Sequence, residues 1–577
     1  MCKPKLILAV LMSACSLTTT AFADNDPHSI PAKHVLLISV DGMHQADLDW
    51  FVAKYPNSTI AKLVHQGVEY TNARTPFPSD SFPGMVGQVT GGDPKTTGIY
   101  YDDEYSRSLL PQGTSMAACA STKPGAEVFY AEVIAKDPNR LDSGQDIPGL
   151  YTDFSKIYQL FGDPAGVASL INTASLPVSP SPSCNPVYPH DYLKVNTVFG
   201  VLHNYHLRTA WSDKHIAYEI LNGPSGKPAG TSIDDLFAPE INSSTTDPTP
   251  PAQPGPDWTK DNTNTQKYDA FKAQAVLNWI HGHDHAGNGT FAIPTIYGMN
   301  FQAVSTAQKL NTSNYYKDPL DPSSIVANGL GGYTNDGTVP GPVLQSSLTF
   351  VDEELAAMLN DKAFDPQNTV VILSAKHGQS PRNREDLTII NDGALNDALN
   401  SAWASQHPGT LPLIAHSIDD DGILMWLNDR SDNAIDFARN FLLSYSGTGV
   451  GSHEDGSSFA KPFTQAGTRK IYAGEEAADF IGVPKLDDRY PDIIGIAQHG
   501  SVYAGGSLSK IAEHGGDAQD DRHVPLVIWG AGIRNNIVDD PVQTKQIAPT
   551  ILHLLGYNPR ELDAVRIEDT RVLPHLH

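Results

Sequence analysis

Basic side chains are scarce in this chain of 577 residues: 39 Lys and Arg stand against 65 Asp and Glu, a formal charge of −26 with His neutral. A protein that coats a nucleic-acid polymer carries a basic face. The deficit therefore excludes that class, and any phosphate chemistry must be local and metal-assisted. Cysteine is rarer still, at 4 residues. Beyond the N-terminal segment no run is long and apolar enough to span a bilayer, which takes roughly 20 residues. No repeat recurs at a fixed period, so one large domain with insertions is expected rather than an array. Glycine and proline are plentiful, 47 and 43 residues, and imply long surface loops on an otherwise ordinary globular composition.

The N-terminus reads as an export signal. Lys3 and Lys5 precede a mostly apolar Leu6 to Leu17, and Ala21-Phe22-Ala23 before Asp24 has the small-x-small form of a cleavage site. Residues 1–23 are expected to be removed and the mature chain to be periplasmic or secreted. Met12-Ser13-Ala14-Cys15 is a poor lipoprotein box and a minor alternative. Cys119 and Cys184 then remain, and in an oxidising compartment they are expected to pair.

Short apolar runs ending in functional-looking loops alternate with amphipathic stretches. His34 to Val40 ends in Asp41-Gly42, Thr369 to Ser374 leads to Lys376-His377-Gly378, and Val524 to Trp529 has the same form. Phe291 to Tyr297 and Asp492 to Ile496 are weaker versions. Helices are expected over Tyr268 to Ile280, Ser347 to Leu359 and Ala434 to Leu443, from apolar residues at three- and four-residue spacing. Buried strands alternating with helices predict an α/β fold with helices on both faces of the sheet. The Pro-rich stretch 242–266 reads as a surface loop or lid. Residues 401–490 read as a smaller inserted α+β subdomain, with 32–400 and 491–577 forming the core.

Asp41, at the end of a buried strand, is a weak ligand candidate by itself. The segment after Pro76 strengthens it, because it reads as a helix with Ser81 at its N-cap, Pro83 in its first turn and a Gly91-Gly92 stop. Ser81 has two roles open to it. One is capping, and the other is nucleophilic attack on a phosphoryl or sulfuryl group held by the helix end.

Taken in order, Val40-Asp41-Gly42, Ser81-Phe82-Pro83, Thr90-Gly91, Gly98-Ile99, Lys376-His377-Gly378, Glu513-His514-Gly515-Gly516-Asp517, and Gln546 to Leu552 with Leu555-Gly556 resemble the alkaline phosphatase superfamily, and within it the type I phosphodiesterase and nucleotide pyrophosphatase family. The resemblance runs from residue 33 to 557, although the middle matches only at separated points. It implies a mixed, mostly parallel sheet sandwiched by helices, and a site with two metal ions, usually zinc, about a hydroxyl nucleophile. On this likeness Ser81 falls on the nucleophile, and Asp41, His377 and His514 fall on metal ligands.

Departures are equally specific. Lys376 stands where the family has a ligating Asp, and a charged Lys cannot ligate. Asn300 stands for a second Asp, Val304 for a His, and Gly84 for an Asn that donates to phosphate. The expectation is therefore one or two divalent ions, with zinc first, held among Asp41, Ser81, His377, His514 and Asn300. Lys376 would supply the charge of a missing metal. Phe82, Gly84 and Asn300 would contact a small phosphorylated substrate. A sulfatase is less fitting because Ser81 is followed by Phe82-Pro83-Gly84-Met85 rather than the sulfatase motif. A non-catalytic binding protein on the same fold is the rival from another class.

The bland readings cover the other candidates. His281, His283 and His285 with Asp284 sit in a Gly-rich loop. Asp213-Lys214-His215 reads as a surface loop after a strand, with Lys214 near the site as the alternative. Asp102, Asp103 and Glu104 read as surface charge.

Overall fold

The computed structural model describes residues 32–224, 230–241, 258–485 and 487–576. The expected leader and residues 242–257 of the Pro-rich stretch lie outside them.

The apolar strand His34–Val40 is buried along nearly its whole length and sits at the heart of an eight-stranded sheet. Across the sheet the strands run Asn536–Val538, Val68–Tyr70, Leu526–Gly530, Thr369–Ser374, His34–Val40, Ile296–Phe301, Ala210–Ser212 and Asp235–Phe237. Leu526–Gly530 is antiparallel to both of its neighbours, and the remaining pairings are parallel. The sheet is therefore mixed and mostly parallel. Helices such as Asn262–Ile280, Pro342–Leu359 and Ile547–Leu554 pack their apolar sides into the same core as the strands.

Parallel register places the functional ends. Ser39 pairs with Ser374 on one side and with Asn300 on the other. Asp41 and Lys376 therefore emerge on the same face at the carboxyl ends of adjacent strands, where open α/β sheets carry their sites. Gly42, at φ +78°, turns the chain there, and a side chain at that position would meet Gln308 and Gln379 within 2.8 Å.

Several boundaries differ from the sequence reading. The weak strand Phe291 to Tyr297 is instead Ile296–Phe301, because the residues before it form a loop around Pro294. The helix expected from Tyr268 starts at Asn262, where the Asp261 carboxylate accepts the Thr263 and Asn264 amides. The last part of the 242–266 stretch is thus helical. Thr388 to Ala504 supply two four-stranded sheets with a separate apolar cluster around Leu395, Leu399, Met425 and Leu442. Cys119 and Cys184 are joined by a disulfide. Among the described residues no helix is long and apolar enough to cross a membrane.

Candidate active site

The helix Ser81–Thr90 begins beside the sheet's carboxyl edge. Its N-cap is Asp80, whose side chain accepts the Phe82 amide. Ser81 is thereby the first helical residue rather than the cap, and its hydroxyl is released from capping. The helix can approach the Lys376 backbone only because residue 84 is glycine: an added Cβ would stand 2.1 Å from the Lys376 carbonyl oxygen. Gly84 N–H donates to Asp80 O, and the Phe82 ring packs on Tyr218. Neither residue offers a free amide to a substrate, and both instead set the helix in place.

Ser81 Oγ lies 3.0 Å from His377 Nε2, 3.3 Å from Lys214 Nζ and 3.5 Å from Asp41 Oδ2. His377 Nδ1–H donates to Gly378 O at 2.9 Å, which turns the Nε2 lone pair towards Ser81 and Asp41. Asp41 Oδ2 accepts from Gln302 Nε2 at 2.6 Å. Burial would raise the Asp41 pKa, but His377, Lys214 and Lys376 outweigh it and hold the carboxyl well below its ordinary value.

The two lysines differ in aim. Lys376 Nζ donates to Asp213 Oδ1 at 2.8 Å and sits 3.8 Å from the centre of the Tyr218 ring. Burial pulls its pKa down to about 8, against the opposing pull of Asp213 and Asp41. The ammonium that reaches Ser81 Oγ is that of Lys214. The Asp213-Lys214-His215 segment is thus part of the site and not a plain surface loop. Among the sequence signals, only its place after a strand end pointed there.

Asn300 is corrected by the register. It pairs with Ser39 inside the sheet, and neither side-chain atom makes a hydrogen bond. Since Val40 pairs with Phe301, the residue level with Asp41 is Gln302, and Gln302 is the side chain that reaches it. The residue four further on is then Thr306 rather than Val304. His514 lies with its ring 4.2 Å from that of His377, and its Nδ1 is 3.5 Å from Asp80 Oδ1. Burial, then Lys309, His377 and Lys214, keep it neutral by lowering its pKa well below the usual range. Asp420, Glu513 and His514 bring ligand atoms within 4.8 Å of one another, but Glu513 is already paired with Lys309 and Lys510. His281, His283 and His285 go to three different partners, Asp361, Gly289 O and Asp235.

The fit to metal can be tested on these atoms. Asp41 Oδ1 is sealed from solvent, and its one polar partner is His377 Nε2 at 2.9 Å. An imidazole nitrogen and a carboxylate oxygen at that distance share a positive centre, either a proton on the ring or a metal ion in its place. With Ser81 Oγ they form a three-donor set with room for a further ligand, as a catalytic zinc ion prefers, and the Nδ1–H bond to a backbone carbonyl is the usual outer partner of a ligating His. One divalent ion fits. A second does not, because Gln302 and Thr306 are neutral amide and hydroxyl and Lys376 is a cation.

A cavity of about 470 Å³ adjoins the cluster and is lined by Lys214, Gln302, Thr306, Lys309 and Lys510 among others. A larger cavity of about 750 Å³, around His203, Arg208 and His285, shares no residue with the Ser81 cluster.

Fold comparison agrees with this architecture. The alkaline phosphatase PafA aligns at TM-score 0.54 and 14% identity, over 91% of this chain and 96% of its own. A four-site variant of PafA gives 0.56 and 15% over the same shares. The murine ectonucleotide pyrophosphatase / phosphodiesterase 5 aligns at 0.49 and 12%, again over 91% and 96%. No curated protein matches the sequence. The fold is therefore alkaline-phosphatase-like. More narrowly, residues 35–122 match the type I phosphodiesterase / nucleotide pyrophosphatase family, a span that holds Asp41 and Ser81.

Proposed function

We propose that this protein is an exported hydrolase of phosphoesters, with phosphodiesters as the favoured class, working through a phosphorylated Ser81. The observation that carries the reading is the Ser81 hydroxyl, freed from capping at a helix N-terminus and 3.3 Å from the Lys214 ammonium. Ser81 Oγ attacks phosphorus, the Oγ–P bond forms as the ester P–O bond breaks, and the leaving oxygen departs with the electron pair and takes up the proton given up by the Ser81 hydroxyl. Water then cleaves the phosphoserine, its hydroxide passing to phosphorus and its proton to Ser81 Oγ, which returns Ser81. Asp41, His377 and Ser81 would hold a divalent ion, which would supply Lewis-acid charge to lower the hydroxyl pKa and offset negative charge on the phosphoryl group. Lys214 donates to Oγ and stabilises its deprotonated form. Gln302 fixes Asp41. The lysine-lined cavity supports a small anionic substrate, and the Cys119–Cys184 bridge supports an oxidising compartment.

The neutral residues at 302 and 306 favour one second reading, a ligand-binding protein without turnover. Purified protein, assayed on a chromogenic phosphodiester, monoester and sulfate before and after chelation, separates the two. We expect chelator-sensitive phosphodiester cleavage that falls at least ~10³-fold in Ser81→Ala. Full activity in that variant would remove Ser81 as nucleophile, and absence of turnover with any of the three esters would favour the binding protein.

A further inference from the structure

Strands Asp103–Ser106 and Ala126–Phe129 form an antiparallel hairpin pair in which Asp103 stands opposite Phe129 and Tyr105 opposite Glu127. Opposed residues share a face, so Asp103, Tyr105 and Glu127 lie together, while Glu104 and Val128 are buried on the other side. The triplet that reads as surface charge in sequence is therefore split between two environments. Facing Asp103 and Glu127 is strand Ile414–Asp419, whose register shifts between Ile414 and His416. The His416 ring stacks on Tyr105 and leans on Trp426.

His416 Nε2 stands 3.2 Å from Asp103 Oδ1, with side chains only 11% and 14% exposed. The two atoms pair with each other and have no other partner, although both are closed to solvent. This repeats the relation of Asp41 Oδ1 to His377 Nε2. Glu127 adds a second carboxylate, and donor atoms of all three residues lie within 4.8 Å of one another. We propose that Asp103, Glu127 and His416 bind a divalent first-row cation, zinc or a close analogue. An imidazole with two carboxylates suits such an ion, and a chain of charge −26 gains by neutralising two crowded acids. The ion ties the 103–129 hairpin to the small sheet. The Tyr101 hydroxyl crosses the same seam, donating to Asp420 Oδ2 at 2.7 Å and lying 3.3 Å from His514 Nδ1. The ion is therefore a clamp on the wall beside the active site, and it does not depend on the hydrolase reading.

The test uses the full chain, stripped by chelation and titrated with Zn²⁺ by calorimetry, with bound zinc measured by elemental analysis. Glu127→Gln, at an exposed position, and His416→Ala should each bind about one equivalent less than wild type, with folding checked by circular dichroism. In a His377→Ala background, Zn²⁺ should still raise Tm by ~2 °C, and adding Glu127→Gln should abolish that rise. Unchanged uptake in both Glu127→Gln and His416→Ala would overturn the site. Loss of an equivalent in Glu127→Gln but none in His377→Ala would keep this site and overturn the ion at Asp41.

Discussion

Lys214 and Lys376 bring the same charge into one buried cluster and serve different atoms. Lys214 donates to Ser81 Oγ, so Lys214→Met should lower kcat on a phosphodiester by ~10²-fold with little change in the unfolding midpoint. Lys376 answers a buried carboxylate, Asp213, which also accepts from Trp211 Nε1 and the Lys214 amide. Lys376→Met leaves Asp213 unpaired, and denaturant unfolding should register a loss of ~3 kcal/mol. A variant at 376 that kept full stability and lost only turnover would return the catalytic charge to Lys376. Asp41 and Ser81 are legible because each closes a short local pattern, a buried strand end and a helix start. Lys214 is harder to see, since its approach depends on how the strand Ala210–Ser212 aligns with a strand nearly ninety residues further on.

At the scale of elements, the site rests on one helix set against one strand end. Gly84 is the contact point: Gly84→Ala must displace either the helix Ser81–Thr90 or the Lys376 backbone. Overpacking of this kind costs ~1–3 kcal/mol, and here it also moves Ser81. We expect a lower unfolding midpoint and a fall in kcat from the same substitution, read by denaturant titration and steady-state assay. Strand register explains the shift from Asn300 to Gln302. An apolar run shows that a strand exists, but a one-residue choice of its end exchanges which side chain meets Asp41.

Across the whole molecule, acid excess makes paired carboxylates matter. Burial would raise Glu513, but Lys309 and Lys510 pull its pKa down to about 2. A carboxyl depressed on folding stabilises above its unfolded value near 4.5, and that contribution is lost as pH falls through the native value. Wild-type stability should therefore decline between about pH 5 and 2, and Glu513→Gln should show a shallower decline from a lower plateau in thermal scans. The Cys119–Cys184 bridge closes a span of 65 residues. Replacing both with Ser should cost ~4 kcal/mol by loop entropy, seen as a lower Tm that reductant no longer changes.

Local order in the sequence determined the α/β class, the superfamily likeness and the candidate residues Asp41, Ser81 and His377, because strand ends, helix starts and short motifs are written in neighbouring residues. Tertiary structure alone decided that Gln302 meets Asp41, that Lys214 meets Ser81 while Lys376 meets Asp213, and that Asp103 faces His416 across 313 positions. Those pairings depend on sheet register and on the packing of distant segments, and free energies of long-range contact are summed over the whole core rather than encoded in any one stretch of chain.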